Sequence, residues 1–325
     1  MTGRVLVTTF PFGEIDRDPV RLLETENIPF TPNPFNRRLR EEELAEIIAP
    51  YEAVIAGTEP ITAKVLEHAT NLRLIARVGI GLDSVALREA RTRGIAVTYT
   101  PSAPSPAVAE LAVGQMLALL RQTQTADREI RTGIWRRRIG RRLALMTVGI
   151  IGVGRIGRRV IQHLKGWSPQ LLAHDIREDH DFSGTTGCTW TDAETIYRRA
   201  DIITLHVPLT RRTRGMIGER QLAMMKPDAI LINTARGELV DEAALARSLR
   251  AKPEFSAAID VFEEEPYHGE LAGLENCALS SHMGSGTRDC RLRMELEAAQ
   301  EVVRYFKGQP FSCPVPESEY VAEGE

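Results

Sequence analysis

The sequence predicts an α/β protein made of two doubly wound parallel-sheet domains, one inserted into the other. Three observations carry that prediction. With 325 residues the chain exceeds what one hydrophobic core usually serves. Short β-branched runs alternate with helical stretches in two separate blocks, the pattern of parallel strands covered on both faces. Two long helical stretches bracket the second block, so the economical layout sets that block inside the first domain with both helices as crossings.

In chain order, the β-branched runs 5–9, 28–31, 51–56, 72–78 and 95–98 read as strands, and 19–26, 41–48, 63–68 and 85–93 between them have helical spacing. The proline-rich stretch 100–106 follows, a break that neither a helix nor a central strand is expected to accept. Leu111, Met116, Leu117, Leu119 and Leu120 supply the apolar positions of the first long helix. From Thr147 the alternation restarts: strands are expected at 147–151, 171–174, 202–207, 229–233, 257–261 and 278–281, with a helix ending near Leu164. Residues 288–306 read as the second long helix, and the tail after it is expected to return to the first domain, where it finds packing partners. The resulting limits are 1–101 with 288–325 for one domain and 102–287 for the other.

Composition narrows the partners. Hydrophobic residues make up 43% and charged residues 26%, an ordinary globular balance, and the net charge of -3 gives no global field for nucleic acid or an anionic membrane. The first ten residues lack the basic and apolar regions of a signal peptide, and no apolar run reaches the length of a membrane span. Cys188, Cys277, Cys290 and Cys313 are scattered with no C-x-x-C pair, so reduced structural thiols in a cytoplasmic protein, with no metal, are expected. The arginines at 136, 137, 138, 141 and 142 read first as a solvated face and second as an anion site.

The sharpest local signal is Gly152-Val153-Gly154-Arg155-Ile156-Gly157, three glycines at G-x-G-x-x-G spacing directly after an apolar strand and at the mouth of a helix. Gly152 permits the tight turn, Gly154 lets a pyrophosphate approach the backbone, and Gly157 lets helix and strand pack closely. The helix start at Arg155 and Ile156 presents N–H groups to the phosphates. At the end of the next strand Asp175 can accept from ribose hydroxyls and would repel a 2′-phosphate, which favours NAD over NADP.

Four further segments end strands, where ligands bind in open α/β sheets: His206-Val207-Pro208, Asn233-Thr234-Ala235-Arg236-Gly237, Asp260 with the acidic run to Glu265, and Ser281-His282-Met283-Gly284. Singly, each has a structural explanation: a strand cap, a surface cation, a solvated acidic turn, a core histidine. Together and in this order they resemble the D-isomer-specific 2-hydroxyacid dehydrogenase family, closest to its phosphoglycerate dehydrogenase branch without a C-terminal regulatory domain. The resemblance extends to Arg77-Val78-Gly79-Ile80-Gly81-Leu82-Asp83, to Val108-Ala109-Glu110-Leu111 and to Gly133-Ile134-Trp135.

The resemblance implies a Rossmann NAD-binding domain inserted into a flavodoxin-like substrate domain, and an oxidoreductase interconverting a small D-2-hydroxy acid and its 2-oxo acid. It implies that His282 is the general acid/base, that Glu265 orients its imidazole, and that Arg236 pairs with the substrate carboxylate through a bidentate fork. Backbone N–H groups of the Arg77, Val78, Gly79, Ile80, Gly81 stretch would bind the same carboxylate. Thr234, Ala235, Asp260, His282 and Gly284 match contacts near the nicotinamide, and His206, Val207, Pro208 and Thr213 line the adenosine side. A homodimer is implied, built on residues 108–121 and 133–142. Ser84, the stretch Tyr99-Thr100-Pro101-Ser102 and Pro104 depart from the family pattern on the substrate side, so D-3-phosphoglycerate is one candidate among several. Glu265 argues against the formate dehydrogenase branch, which pairs its histidine with glutamine. The alternative of another class is an NAD-sensing, corepressor-like binding protein of the same fold.

Overall fold

A computed structural model describes residues 4–322. The chain divides into two compact units, Met1–Pro104 with Gly286–Glu325 and Ser105–Ser285. Residues 1–3 and 323–325, which the expected domain limits include, lie outside the described residues.

The first unit holds β1 (Val5–Val7), β2 (Phe30–Thr31), β3 (Ala53–Ala56), β4 (Leu74–Arg77) and β5 (Ala96–Thr98) in one parallel sheet of order β2-β1-β3-β4-β5. Both faces of β1, β3 and β4 are buried, which is why those segments are continuous apolar runs rather than alternating ones. Strand order reverses between β1 and β3, and a sheet of this kind opens a crevice at its carboxyl ends there. The helix Arg288–Phe306 buries Cys290, Met294, Ala298 and Val302, and the Thr287 hydroxyl caps its start. Beyond it the tail covers the β5 edge: Val315 N donates to Val97 O at 3.0 Å and Tyr99 N to Cys313 O at 3.1 Å.

The second unit holds β6 (Thr147–Ile151), β7 (Gln170–His174), β8 (Thr189–Trp190), β9 (Ile202–Leu205), β10 (Ile230–Asn233), β11 (Ser256–Ile259) and β12 (Cys277–Leu279), all parallel in the order β12-β11-β10-β9-β6-β7-β8. Period-two alternation splits its strands between two cores. Ile230 and Ile232 face one with Val148, Ile150, Val160 and Leu164, while Leu231 faces the other with Ile203, Leu222 and Leu245. The reversal here lies between β6 and β9, so the loops after those strands flank the crevice.

Three differences from the sequence reading have physical causes. Ser105 and Pro106 belong to the helix Ser105–Leu120, because a proline in the first turn gives up an N–H that has no partner there anyway. That helix stops where Gln122 turns left-handed, and a second helix, Thr123–Arg131, buries none of its residues. The two-residue strand β8 is too short to show a period.

Candidate active site

The glycine loop leaves β6 under tight constraint. Gly152 has φ of 92°, and a Cβ there would stand 2.5 Å from the His206 carbonyl oxygen. A Cβ on Gly157 would stand 2.0 Å from the Gly152 oxygen, so the helix Arg155–Lys165 packs against the turn only because residue 157 is bare. Around Gly154 nothing lies within 4 Å of that position. The loop therefore has room for a ligand at one glycine and packing demands at the other two. These residues fit a pyrophosphate on a helix start whose first residues, Arg155 and Ile156, are exposed and half-buried.

Asp175 follows β7 and is tied to this loop. Its Oδ2 accepts from Val153 N at 2.7 Å and its Oδ1 from Arg177 N at 3.2 Å, while Gly152 N donates to His174 O at 2.8 Å. On the other side of β6, His206 N donates to Ile151 O at 2.7 Å. The His206 Nε2 pairs with the Thr204 hydroxyl at 2.9 Å, its Nδ1 is enclosed without a partner, and burial pushes the ring down to about 3, so it is neutral. Val207 and Pro208 continue the loop, and Thr213 braces it, donating to Pro208 O at 2.7 Å and accepting from Thr210 N at 2.8 Å.

After β10, Asn233 closes the loop that carries Thr234, Ala235 and Arg236. Its Nδ2 donates to Arg236 O at 2.8 Å and its Oδ1 accepts from Ala235 N at 3.1 Å. The Arg236 guanidinium is half-buried, with Nη1 donating to Ala235 O at 2.6 Å, and the Thr234 hydroxyl is buried without a hydrogen-bond partner. Gly237 is held by packing, since a Cβ there would meet the Phe262 carbonyl carbon at 2.0 Å.

Asp260, fully buried after β11, gathers the last loop around itself. Its Oδ1 accepts from the Ser280 hydroxyl at 2.5 Å and Met283 N at 3.0 Å, and its Oδ2 from Gly284 N at 2.8 Å. Its carbonyl accepts from His282 N at 2.7 Å. His282 is thus fixed on both sides, with a left-handed φ of 50°. Its Nδ1 lies 2.9 and 3.0 Å from the two Glu265 oxygens, and the Glu265 Oε1 also accepts from Phe262 N at 3.2 Å. A ring whose Nδ1–H is held by a carboxylate presents Nε2 for proton transfer. Ser280, which Gln115 Nε2 contacts at 3.2 Å, and Asn233 are positioning residues that sequence reasoning left out of the site.

In the first unit the Arg77–Gly81 stretch ends β4. Val78 N donates to Ala56 O at 2.8 Å and Gly79 N to the Thr100 hydroxyl at 2.8 Å, so two of the expected backbone donors are spent on the fold. The N–H groups of Ile80 and Gly81, both half-buried, donate to no described residue. Arg77 is buried and its guanidinium turns back onto the Val78 carbonyl. Of the clustered arginines, Arg136 and Arg138 pair with Glu129 at 3.2 and 2.5 Å and Arg141 with Asp228 at 2.9 Å, which supports the structural reading of that run. Among the described residues no group of three or more His, Cys, Asp or Glu is placed to hold a metal ion.

Comparison with known proteins places this arrangement. Residues 113–284 match the family model "D-isomer specific 2-hydroxyacid dehydrogenase, NAD binding domain". The glyoxylate reductase of Thermococcus litoralis is 38% identical over 277 residues, 82% of this chain and 84% of that protein. The D-3-phosphoglycerate dehydrogenase of Archaeoglobus fulgidus is 35% identical over 84% of this chain, but the match spans only 53% of that longer protein. Among solved structures, the TT0316 protein from Thermus thermophilus superposes with a TM-score of 0.87 at 30% identity, covering 96% of this chain and all of that one.

Proposed function

The chain belongs to the D-isomer specific 2-hydroxyacid dehydrogenase family, and on that premise we propose the residue roles through which it interconverts a small 2-hydroxy acid and its 2-oxo acid with NAD. The observation that carries the reading is the His282–Glu265 pair at 2.9 Å, fixed by the buried Asp260 in the same sheet as the glycine loop. NAD, when bound, supplies the hydride acceptor or donor. Gly152, Gly154, Arg155, Ile156 and Gly157 hold its pyrophosphate and Asp175 its ribose. His206, Val207, Pro208 and Thr213 line its adenosine side, and Thr234, Ala235, Asp260 and Gly284 its nicotinamide side.

In reduction, His282 Nε2 gives a proton to the carbonyl oxygen as carbon 2 gains the hydride, and in oxidation it takes that proton back. Glu265 fixes the tautomer and offsets the charge of the protonated ring. The Arg236 fork grips the substrate carboxylate and polarises the carbonyl. Within the first unit, the N–H groups of Ile80 and Gly81 suit an acceptor such as a carboxylate. Glyoxylate and hydroxypyruvate are the substrates we favour over phosphorylated ones, since the glyoxylate reductase match spans most of both chains.

We assign a second copy of the chain as the partner. Trp135 and Ile139 are each 89% exposed and Ile134 and Leu145 stand near them in sequence, more exposed apolar surface than one monomer segment usually carries. No helix among the described residues is long and apolar enough to cross a membrane, and all four cysteines are free thiols, which supports a cytoplasmic setting. Turnover settles the activity. NADH consumption with glyoxylate, hydroxypyruvate or pyruvate supports the reading, and no turnover of any 2-oxo acid overturns it.

A further inference from the structure

The start of the helix Ser105–Leu120 takes no part in the mechanism above, yet it carries donors that the protein leaves unused. Ser105 is 1% exposed, and its hydroxyl is enclosed without a hydrogen-bond partner. The first N–H groups of a helix have no acceptor within it. Pro104 and Pro106 bring none, which leaves those of Ser105 and Ala107, and no described residue accepts from either. Ala107 is itself buried. Cα–Cβ bonds tilt toward a helix's N-terminus, so the Ser105 hydroxyl lies at the same end as these N–H groups. Buried donors without acceptors, at the positive end of a 16-residue helix, are costly unless a ligand supplies the acceptor.

Packing brings that end to a defined place in the second unit. The helix lies along β10 and β11, and Gln115 Nε2 reaches the Ser280 hydroxyl just beyond β12 at 3.2 Å. Two helical turns earlier Val108 stands by Gly284: a Cβ on that glycine would meet Val108 Cγ2 at 3.3 Å and Asp260 Oδ2 at 3.2 Å. The helix start therefore rises past the carboxyl ends of the strands, beside Asp260. Asp260 Oδ2 accepts from Gly284 N, and a carboxylate oxygen has room for a second donor. Donors on the helix and a spare acceptor on Asp260 select a group that carries both an acceptor and an N–H. A primary amide is such a group, whereas a phosphate or carboxylate brings acceptors alone and would be repelled by Asp260.

We propose that the start of this helix is a further part of the cofactor site: the Ser105 hydroxyl, backed by the positive helix end, donates to the carboxamide oxygen of the nicotinamide while Asp260 takes the amide N–H, which holds the ring in one orientation. This rests on the reading that Asp260 and Gly284 line the nicotinamide side of NAD. Ser105→Ala removes a donor that the protein itself does not use, so the ligand-free Tm stays level or rises. NADH affinity by fluorescence titration falls about three- to tenfold, the worth of one hydrogen bond. ADP-ribose, which keeps the adenosine and pyrophosphate but has no nicotinamide, binds variant and wild type equally by calorimetry. The thionicotinamide analogue of NADH, whose sulfur is a poorer acceptor, binds the wild type more weakly than NADH does and loses that disadvantage in Ser105→Ala. If ADP-ribose does not bind the wild type, the cofactor reading of the glycine loop fails and this proposal falls with it. If ADP-ribose binds, but Ser105→Ala leaves NADH affinity unchanged, weakens both ligands alike or lowers the ligand-free Tm, the Ser105 proposal alone is overturned.

Discussion

Replacing Asp260 with asparagine isolates the carboxylate that holds the His282 loop. Asn keeps the shape and can still accept from the Ser280 hydroxyl and Met283 N, now at 2.5 and 3.0 Å from Oδ1. Its amide nitrogen, however, would face Gly284 N, which donates to Oδ2 at 2.8 Å, so two buried donors would oppose each other. One hydrogen bond to a charged group is lost and two others lose their charge assistance, a total of about 2–4 kcal/mol. For a unit of this size that corresponds to a fall in Tm of about 4–16 °C. Because His282 N is bound to the carbonyl of the same residue at 2.7 Å, kcat should fall along with stability. Ser280→Ala, which removes one donor and leaves the carboxylate in place, should show a smaller loss of about 1.5–3 kcal/mol. Thermal unfolding and steady-state kinetics on the same preparations read both effects. An Asp260→Asn protein with unchanged Tm and wild-type kcat would refute the idea that this residue positions the loop.

Other expectations follow from single contacts. Gly157→Ala sets a Cβ 2.0 Å from the Gly152 oxygen, an overpacking cost of about 1–3 kcal/mol, so Tm and NADH affinity by fluorescence titration should both fall; an unchanged titration would mean the loop is not the pyrophosphate site. Asp175→Ser should narrow the NAD/NADP ratio of kcat/KM by at least about tenfold, and an unchanged ratio removes Asp175 from cofactor choice. With the His206 ring held at about 3 by burial, the unfolded state binds its proton first. Stability should therefore fall as pH drops below about 6.5, by at most ~1.4 kcal/mol per pH unit, and His206→Gln should flatten that slope in acid unfolding curves.

The parts of the fold legible in the sequence were those where one interaction dominates. Buried strands such as Ile202–Leu205 and Ile230–Asn233 stand out because both faces need apolar residues. The glycine loop was legible because Gly152 and Gly157 answer to backbone sterics, which few other sequences satisfy at that spacing. Less visible were roles set by distant partners. Asp260 reads from sequence as a nicotinamide contact, and nothing local signals that its carboxylate also gathers Ser280, Met283 and Gly284 at the following strand end. The backbone donors at Val78 and Gly79 read as substrate contacts until the fold shows their acceptors in Ala56 and Thr100. The helix Thr123–Arg131 buries nothing and so leaves no apolar stripe to detect.

The account's central claim is that His282, held by Glu265 at 2.9 Å, moves the proton that accompanies hydride transfer. The most direct test is kcat/KM for a reduced 2-oxo acid with NADH in His282→Ala against the wild type, with matched unfolding curves to establish an intact fold. A folded variant that has lost about 10²–10⁴-fold of the wild-type value is the result expected of a missing general acid. A folded variant within a few-fold of wild type would contradict the claim, and the proton would have to come from another group.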